Sequence, residues 1–332
     1  MKEEKNLPEQ ELIDVDEKGN PIEKKEEEKE KSSSIYKYTF LIIMLLFLLA
    51  LIYFFLNKKT NNKSLFEEIN LKNLKLKNRV FFGAVFDDSL KNGKFTEKGL
   101  KTFETLAKND ISLIVTGVAI VGDFSPTPIK GKESPRIDSD EYIEEFRKMP
   151  EIVHKYNTYI LMQLVHVGLF SISDIIYSPS KDKGFISGNY SKEMRKEDIL
   201  RIQDYFVKAS VRAKKAGFDG IQIHGAHLGL VSLFLSNKFN RRTDEYGGSE
   251  EKRARFLVEI IKKIRKAVGN DMIISAKIDC EDEENGFTES GFLTASKMVE
   301  EAGLDNIEVS GTNPQKKVKY IFIMQLRNLL IL

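Results

Sequence analysis

The chain has 332 residues, of which 41% are hydrophobic and 31% are charged, so it can form one large domain with additional segments. Its 52 basic and 50 acidic residues leave a net charge of +2, which gives no reason to expect a nucleic-acid partner. Cys280 is the only cysteine, and this excludes an internal disulfide framework and a cysteine-rich metal site.

The N-terminal region divides into a charged tail, an apolar segment and a linker. Residues 1–34 are almost all charged or small and polar, which predicts a disordered tail, with a short helix in the Glu/Lys run as the alternative. Residues 35–58 are predicted to be a single transmembrane helix, because Thr39–Leu56 is an uninterrupted apolar run with tyrosines near both ends. A signal peptide and a buried core helix are the alternatives. Residues 59–68 are predicted to be a linker.

From Ile69 onward, apolar runs of strand length alternate with segments of helical periodicity, which predicts βα units around a parallel sheet. The predicted strands are Val80–Ala84, Leu113–Val118, Tyr159–Val165, Gly220–His224, Ile273–Ile278 and Asn306–Val309. The predicted helices are Thr96–Lys108, Glu141–Lys155, Lys196–Ala216, Glu250–Val268 and Thr294–Ala302. Because no Gly-x-Gly-x-x-Gly fingerprint accompanies them, we expect an α/β fold of the TIM (β/α)8 barrel type, incomplete with about six βα units.

Two histidines, His224 and His227, follow the fourth predicted strand. The C-terminal ends of the strands are where α/β barrels hold their chemistry, so both are candidate catalytic residues. A core-histidine role and a zinc pair are the alternatives. Zinc would require a third ligand, for which Asp279, Cys280 and Glu281 are the obvious candidates.

Several separated segments resemble the old yellow enzyme family of FMN-dependent ene-reductases and NADH:flavin oxidoreductases. These segments are Ile69–Arg79, Leu161–Gly168, Gly217–His227, Asn240–Ser249 and Glu308–Gly311. The resemblance implies that residues 69–312 form a partial FMN-binding barrel domain. It also implies an oxidoreductase that uses NADH or NADPH to reduce an activated alkene or a similar electrophilic small molecule.

The resemblance also implies which residues contact the flavin. Gly83 and Ala84 correspond to small residues that pass under the ring, where the family has a proline at the position of Ala84, and Gly117 is placed with them. Gln163 corresponds to the glutamine that faces the pyrimidine edge of the ring. Lys277 corresponds to a cation, usually arginine, beside flavin N1 and O2. A small-residue packing site, a satisfied core amide and a surface lysine are the respective alternatives.

His224 and His227 correspond to the family's pair of donors to the oxygen of the acceptor. Negative charge builds on that oxygen during reduction, and each oriented donor is worth ~3–4 kcal/mol in comparable sites. Gly229 stands where the family commonly has a proton-donating tyrosine, so proton delivery would fall to water or to another side chain. The loop from Asn240 to Ser249 is expected to be architectural, with Arg242 and Asp244 locking it.

Residues 313–332 form an atypical tail that shows none of the family's pattern. The family needs two further strands whose loops hold the flavin phosphate, so we expect a truncated or frame-shifted reading, in which the apolar tail can add an edge strand. Two other functions compete: a non-catalytic remnant that binds no flavin, and a zinc hydrolase. For the flavin enzyme we expect no metal site. We expect a single-pass membrane protein whose barrel lies on the cytoplasmic side. The sequence predicts no particular oligomeric state.

Overall fold

The computed structural model describes residues 15–19, 23–57, 64–85, 90–91, 94–122, 134–281, 286–311 and 323–325. Half of the predicted N-terminal tail and most of the predicted C-terminal tail therefore lie outside the described residues. The chain divides into two compact units, Met1–Lys63 and Ser64–Leu332. Residues 64–68 were predicted to be linker, but they belong to the second unit, where the Arg79 N–H donates to the Leu65 carbonyl at 2.8 Å.

The first unit contains one long helix, α1, Glu23–Asn57. The prediction of disorder is therefore wrong for residues 23–34, and the alternative, a helix in the Glu/Lys run, is what the structure has. Glu and Lys are good helix formers, and a helix that is already nucleated extends into them at little cost. The large apolar side chains between Ile35 and Leu49 are exposed, so α1 is not a buried core helix.

The second unit is built on one seven-stranded sheet. Its strands are β1 Phe81–Phe82, β2 Leu113–Ile120, β3 Tyr159–Val165, β4 Gly220–Gly225, β5 Ile273–Asp279, β6 Asn306–Ser310 and β7 Ile323–Gln325. Strands β1 to β6 are neighbours in chain order and are parallel, as in a barrel and unlike a doubly wound sheet. Strand β7 comes from the predicted atypical tail and pairs antiparallel with β6, which confirms that the tail can add an edge strand.

Six helices accompany the strands of the second unit in the described residues. They are α2 Glu97–Lys108, α3 Ile143–Val153, α4 Lys196–Lys215, α5 Leu230–Leu235, α6 Glu250–Val268 and α7 Glu289–Glu301. The hydroxyls of Thr96, Ser249 and Thr288 cap α2, α6 and α7. The Thr288 cap starts α7 five residues before the predicted start, and the short buried helix α5 was not predicted.

The sheet curls into a partial barrel. Strands β1 and β6 lie at distant positions in the strand order, yet the Cβ position of Gly83, just after β1, is 3.7 Å from Glu308 Oε1 on β6. An antiparallel hairpin, residues 69–76, closes the end of the barrel where the strands begin. Apolar side chains of the hairpin pack there against apolar side chains of the strands, and we call this group the floor cluster. Its members are Leu71, Leu74 and Leu76 from the hairpin and Leu113, Val115, Leu161 and Ile273 from the strands. The interior is therefore filled with apolar side chains at its N-terminal end.

Candidate functional site at the C-terminal ends of the strands

The interior face of the barrel changes from apolar to polar toward the C-terminal ends of the strands. Residues i and i+2 of a strand share a face, so Gln163 follows Leu161 on the inside of β3, and Lys277 follows Ser275 on β5. The sheet register sets Gln163 opposite Gln222, and Lys277 opposite both His224 and Glu308. A buried polar layer thus lies above the apolar floor.

A chain of hydrogen bonds connects this layer across four strands. Gln163 Nε2 donates to Gln222 Oε1 at 2.7 Å, and Gln222 Nε2 donates to Glu308 Oε2 at 3.0 Å. Lys277 Nζ lies 3.0 Å from Glu308 Oε1, and only 13% and 7% of these two side chains are exposed. Lys277 therefore points into the barrel, which rules out the alternative of a surface lysine. The structure brings Gln163 and Lys277 into one connected site.

His224 and His227 lie at the end of β4 and in the turn that follows it. Their ring centroids are 5.4 Å apart, and His224 is half-buried while His227 is exposed. His227 has a left-handed backbone (φ 53°), and its backbone N–H donates a hydrogen bond of 2.8 Å to Asp279 Oδ2. Its ring Nε2 lies 2.8 Å from Ser310 Oγ. These exposures do not suit a pair of core histidines. We call the region between Gln163, Lys277, His224 and His227 the mouth.

Both imidazoles of the mouth are neutral near pH 7. Burial, with the nearby His227 and Lys277 acting in the same direction, lowers the pKa of His224 to about 3. Burial and Lys277 also lower the pKa of His227, although Glu308 opposes them. His224 Nδ1 is buried and has no hydrogen-bond partner among the described residues. Each neutral ring carries a single N–H donor.

The predicted small residues occupy different places around the mouth. The Cβ position of Gly83 faces Glu308, at the level of the polar layer. Ala84 instead packs against the floor cluster, so its methyl group contacts apolar side chains. Gly117 is half-buried and lies in the irregular part of β2 between Val115 and Val118, where its carbonyl accepts from Thr116 Oγ1 at 2.8 Å.

The loop that precedes α6 has the architectural role predicted for it. The Arg242 side chain is only 7% exposed, and its Nη1 donates to the carbonyls of Pro179 at 2.9 Å and Met194 at 2.7 Å. Its Nε donates to Asp244 Oδ1 at 3.0 Å. The locked loop fixes the start of α6, which Ser249 caps.

Three residues of the site were not nominated from the sequence: Gln222, Glu308 and Ser310. Each has a partner among the nominated residues, through the contacts described above. The signal that could have found them is the period of two in otherwise apolar strands. Gln222 shares a face with His224, and Glu308 shares one with Ser310.

No group of three or more His, Cys, Asp or Glu side chains in the described part of the chain is arranged to hold a metal ion. The proposed third zinc ligands illustrate why. Asp279 accepts a hydrogen bond from the backbone N–H of His227, and its Oδ2 lies 3.4 Å from Ser232 Oγ. The pKa of the Cys280 thiol is raised, mainly by burial. The zinc-hydrolase alternative therefore has no ligand set here.

Fold and site together define an α/β-barrel protein with the old yellow enzyme fold. The old yellow enzyme homologue from Zymomonas mobilis superposes with a TM-score of 0.65 at 24% identity, over 74% of this chain and 73% of that one. The chain belongs to the NADH:flavin oxidoreductase / NADH oxidase family, whose profile matches residues 64–311.

Two relatives show how much of a family enzyme the chain spans. The NADH oxidase of Thermoanaerobacter brockii is 34% identical over 257 residues, which are 74% of this chain and 39% of that protein. The NADPH dehydrogenase of Geobacillus sp. (strain WCH70) is 33% identical over 253 residues, which are 74% of this chain and 72% of that protein. The chain thus spans about two fifths of the first relative and almost three quarters of the second. Both relatives are oxidoreductases.

Enzymes of this family use FMN with NADH or NADPH, and the residues of the mouth fit the flavin ring. The pyrimidine edge of the ring presents an N–H between two carbonyl groups, so it needs an acceptor and donors. Gln163 Oε1 accepts no hydrogen bond from any described residue, and Lys277 supplies an ammonium donor. The unpartnered ring nitrogen of His224 lies at the same end of the barrel.

Proposed function

We propose that this protein is an FMN-dependent oxidoreductase that uses NADH or NADPH to reduce an activated alkene or a similar electrophilic acceptor. The observation that carries the proposal is the convergence of one amide, one ammonium and two neutral imidazoles at the mouth of a family barrel. Three neighbouring strands, β3, β4 and β5, bring these groups together, and the polar layer is buried in an otherwise apolar interior.

In this proposal Gln163 and Lys277 hold the pyrimidine edge of FMN, which supplies two-electron reduction and reoxidation when bound. Lys277 is a point charge and lacks the planar fork of arginine, so it stabilises negative charge without fixing two oxygens at once. Gly83 leaves space beside Glu308, because no side chain projects from this position of the wall.

His224 and His227 bind the acceptor oxygen in this proposal. Each neutral imidazole donates one N–H, and the pair stabilises the negative charge that develops on that oxygen. Asp279 positions His227 through the backbone N–H. Gly229 offers no group that can donate a proton, so the proton for the acceptor carbon comes from water at the exposed mouth.

Reconstitution of the full-length chain tests the proposal. The protein, purified in detergent and incubated with FMN, should retain the visible absorbance of bound oxidised flavin after gel filtration. It should then oxidise NADH or NADPH when an α,β-unsaturated carbonyl compound is present. A protein that retains no flavin, or whose bound flavin is not reduced by either nucleotide, would overturn the proposal.

The His224→Ala variant separates acceptor binding from flavin binding. Loss of one donor to the developing charge should lower turnover by about 10²-fold. The absorbance of the bound flavin should remain, since His224 is not among the residues assigned to hold the ring. Equal turnover in the variant and the wild type would remove His224 from the proposed role.

We also propose that α1 anchors the protein in a membrane as a single-pass helix, with the barrel on the cytoplasmic side. The segment Ser33–Ala50 is apolar and long enough for this on length and composition. Lysines flank both ends of the apolar run, so the charge pattern gives no orientation. The cytoplasmic orientation is inferred from the supply of NADH and NADPH.

A further inference from the structure

We propose that Glu308 and Gln222 are positioning residues that determine which atom of the Gln163 amide faces the mouth. The proposal rests on the flavin site proposed above, and adds to it a relay defined by Glu308, Gln222 and Gln163. All three residues are at most 5% exposed. They come from strands β6, β4 and β3, so the relay runs across the interior of the barrel.

The polarity of the relay starts at its carboxylate end. Glu308 forms an ion pair with Lys277, and its carboxylate only accepts hydrogen bonds because it carries no proton to donate. Gln222 must therefore turn its NH₂ group toward Glu308, as it does at 3.0 Å, because the opposite orientation would place two acceptors in contact.

The same constraint passes to Gln163. Because the NH₂ of Gln222 is directed to Glu308, its Oε1 is turned toward β3, where Gln163 Nε2 donates to it at 2.7 Å. The Gln163 carbonyl oxygen is then left as the acceptor for a ligand, while Nε2 keeps its second N–H. A bound ring must present a donor N–H there, as the imide N–H of an isoalloxazine does.

Glu308 has a second effect through Lys277. Its carboxylate lies 3.0 Å from the ammonium that the site offers to the ring, so it offsets part of that positive charge. A mouth with Lys277 and no Glu308 would favour the anionic reduced flavin more strongly. Glu308 is therefore expected to hold the midpoint potential of bound flavin below the value that Lys277 alone would give.

Side-chain amide exchange in flavin-free protein tests the relay directly. The NH₂ protons of Gln163 and Gln222, observed by NMR, should exchange slowly with solvent in the wild type. In Glu308→Gln the relay loses its acceptor-only end, so exchange at Gln163 should accelerate at least about tenfold. Unchanged exchange at Gln163 would overturn the relay, whether or not the protein binds FMN, so this result is separate from the proposed function.

The matched control is Glu259→Gln. Glu259, on α6, likewise accepts from a glutamine, with Gln203 Nε2 at 2.7 Å, and it lies outside the barrel interior. This variant also converts a carboxylate that is bonded to a glutamine into an amide. The Gln163 NH₂ protons should exchange with solvent as slowly in this variant as in the wild type. If their exchange accelerated as much as in Glu308→Gln, the acceleration would reflect a general loosening of the protein and would overturn the relay.

Ligand discrimination gives a second readout. The wild type should bind FMN at least about tenfold more tightly than FMN methylated at N3, because the methyl group removes the donor that the Gln163 carbonyl needs. Gln222→Met keeps the volume and the charge but breaks both relay bonds, so the ratio of the two affinities should fall toward one. An unchanged ratio would overturn the assignment of the carbonyl oxygen.

The midpoint potential of bound flavin tests the charge effect. Glu308→Gln should raise it, because the Lys277 charge is no longer offset, whereas Gln222→Met and Glu259→Gln should leave it close to the wild-type value. A potential that falls or stays constant in Glu308→Gln would contradict the role of Glu308 in tuning Lys277. A residue that only supported the fold would not produce this pattern across the three variants.

Discussion

Burial is the main cause that lowers the pKa of two histidines in the same barrel, His166 and His224. His166 follows β3 and is 2% exposed, and burial lowers its pKa to about 4, with Arg201 acting in the same direction. His224 follows β4 and reaches a pKa of about 3 for a similar reason. The first bears on stability, whereas the second keeps a neutral donor at the mouth.

The buried His166 should make stability depend on pH. Its folded pKa of about 4 lies below its unfolded value of 6.5, so its contribution is complete above pH 6.5 and is lost as the pH falls toward 4. At pH 5 this costs about 2 kcal/mol relative to pH 7. In both proteins the unfolding free energy is measured with urea at pH 7 and at pH 5. The decrease between the two pH values should be smaller in His166→Asn than in the wild type by about that amount.

A pH-independent destabilisation by His166→Asn cancels, because the two pH values are compared within one variant. Asparagine can keep the acceptor role of His166 Nδ1, which lies 3.3 Å from the Gly168 N–H. The same loss between pH 7 and pH 5 in the variant and the wild type would show that His166 is not the titrating group.

In the proposed reaction Gly229 offers no proton donor, and a substitution at this position can supply one. Its backbone is extended (φ −64°, ψ 166°), and an added Cβ would meet no atom closer than His224 Cδ2 at 3.4 Å. Gly229→Tyr should therefore raise alkene turnover by at least about tenfold, because a phenol beside His224 can donate the proton. Gly229→Phe is the control, and an equal gain from phenylalanine would refute proton donation.

At the scale of elements, the loop between α5 and α6 is held by contacts that its local sequence only partly reveals. Arg242 bonds two carbonyls from distant parts of the chain, and Gly247 packs directly on the Arg242 backbone. A Cβ at Gly247 would lie 2.4 Å from the Arg242 carbonyl oxygen, which is backbone and cannot rotate away. The loop thus depends on close approach between two backbones.

Gly247→Ala should accordingly lower the unfolding free energy by about 1–3 kcal/mol, as overpacking does in other closely packed sites. Gly229→Ala is the matched control, because its added Cβ makes only ordinary contacts. Urea unfolding of both variants checks the prediction. Equal stability of the two variants would contradict the prediction and show that the loop shifts to accept a methyl group beside the Arg242 backbone.

At the scale of the whole molecule, the membrane anchoring proposed for α1 can be tested by placing a charge in its apolar segment. One charge at the centre of a membrane-spanning helix costs about 3 kcal/mol, and much less near its end. Leu46→Arg should therefore move full-length protein out of the carbonate-resistant membrane fraction. Ser34→Arg adds the same charge at the edge of the apolar segment and should leave it there. Carbonate-soluble wild-type protein would refute anchoring.

The sequence by itself determined most of the elements and the polar residues at the strand ends. Caps and periodicity are local, so α6 was predicted with its observed bounds, and β3 as well. Gln163, Lys277, His224 and His227 were nominated because their motifs are contiguous in the chain. Helix α1 was placed too late, since a pattern of Glu and Lys fits both a disordered tail and a helix that continues an apolar one.

Only the tertiary structure decided how those residues are connected. Gln222 and Glu308 are 86 residues apart, and their contact depends on the register of three strands and on the curl of the sheet. No local pattern encodes that register, so the sequence showed Lys277 as a lone cation and Gln163 as a lone amide. Register and curvature arise from packing of the whole barrel, and they turned these separate residues into one ion pair and one oriented relay.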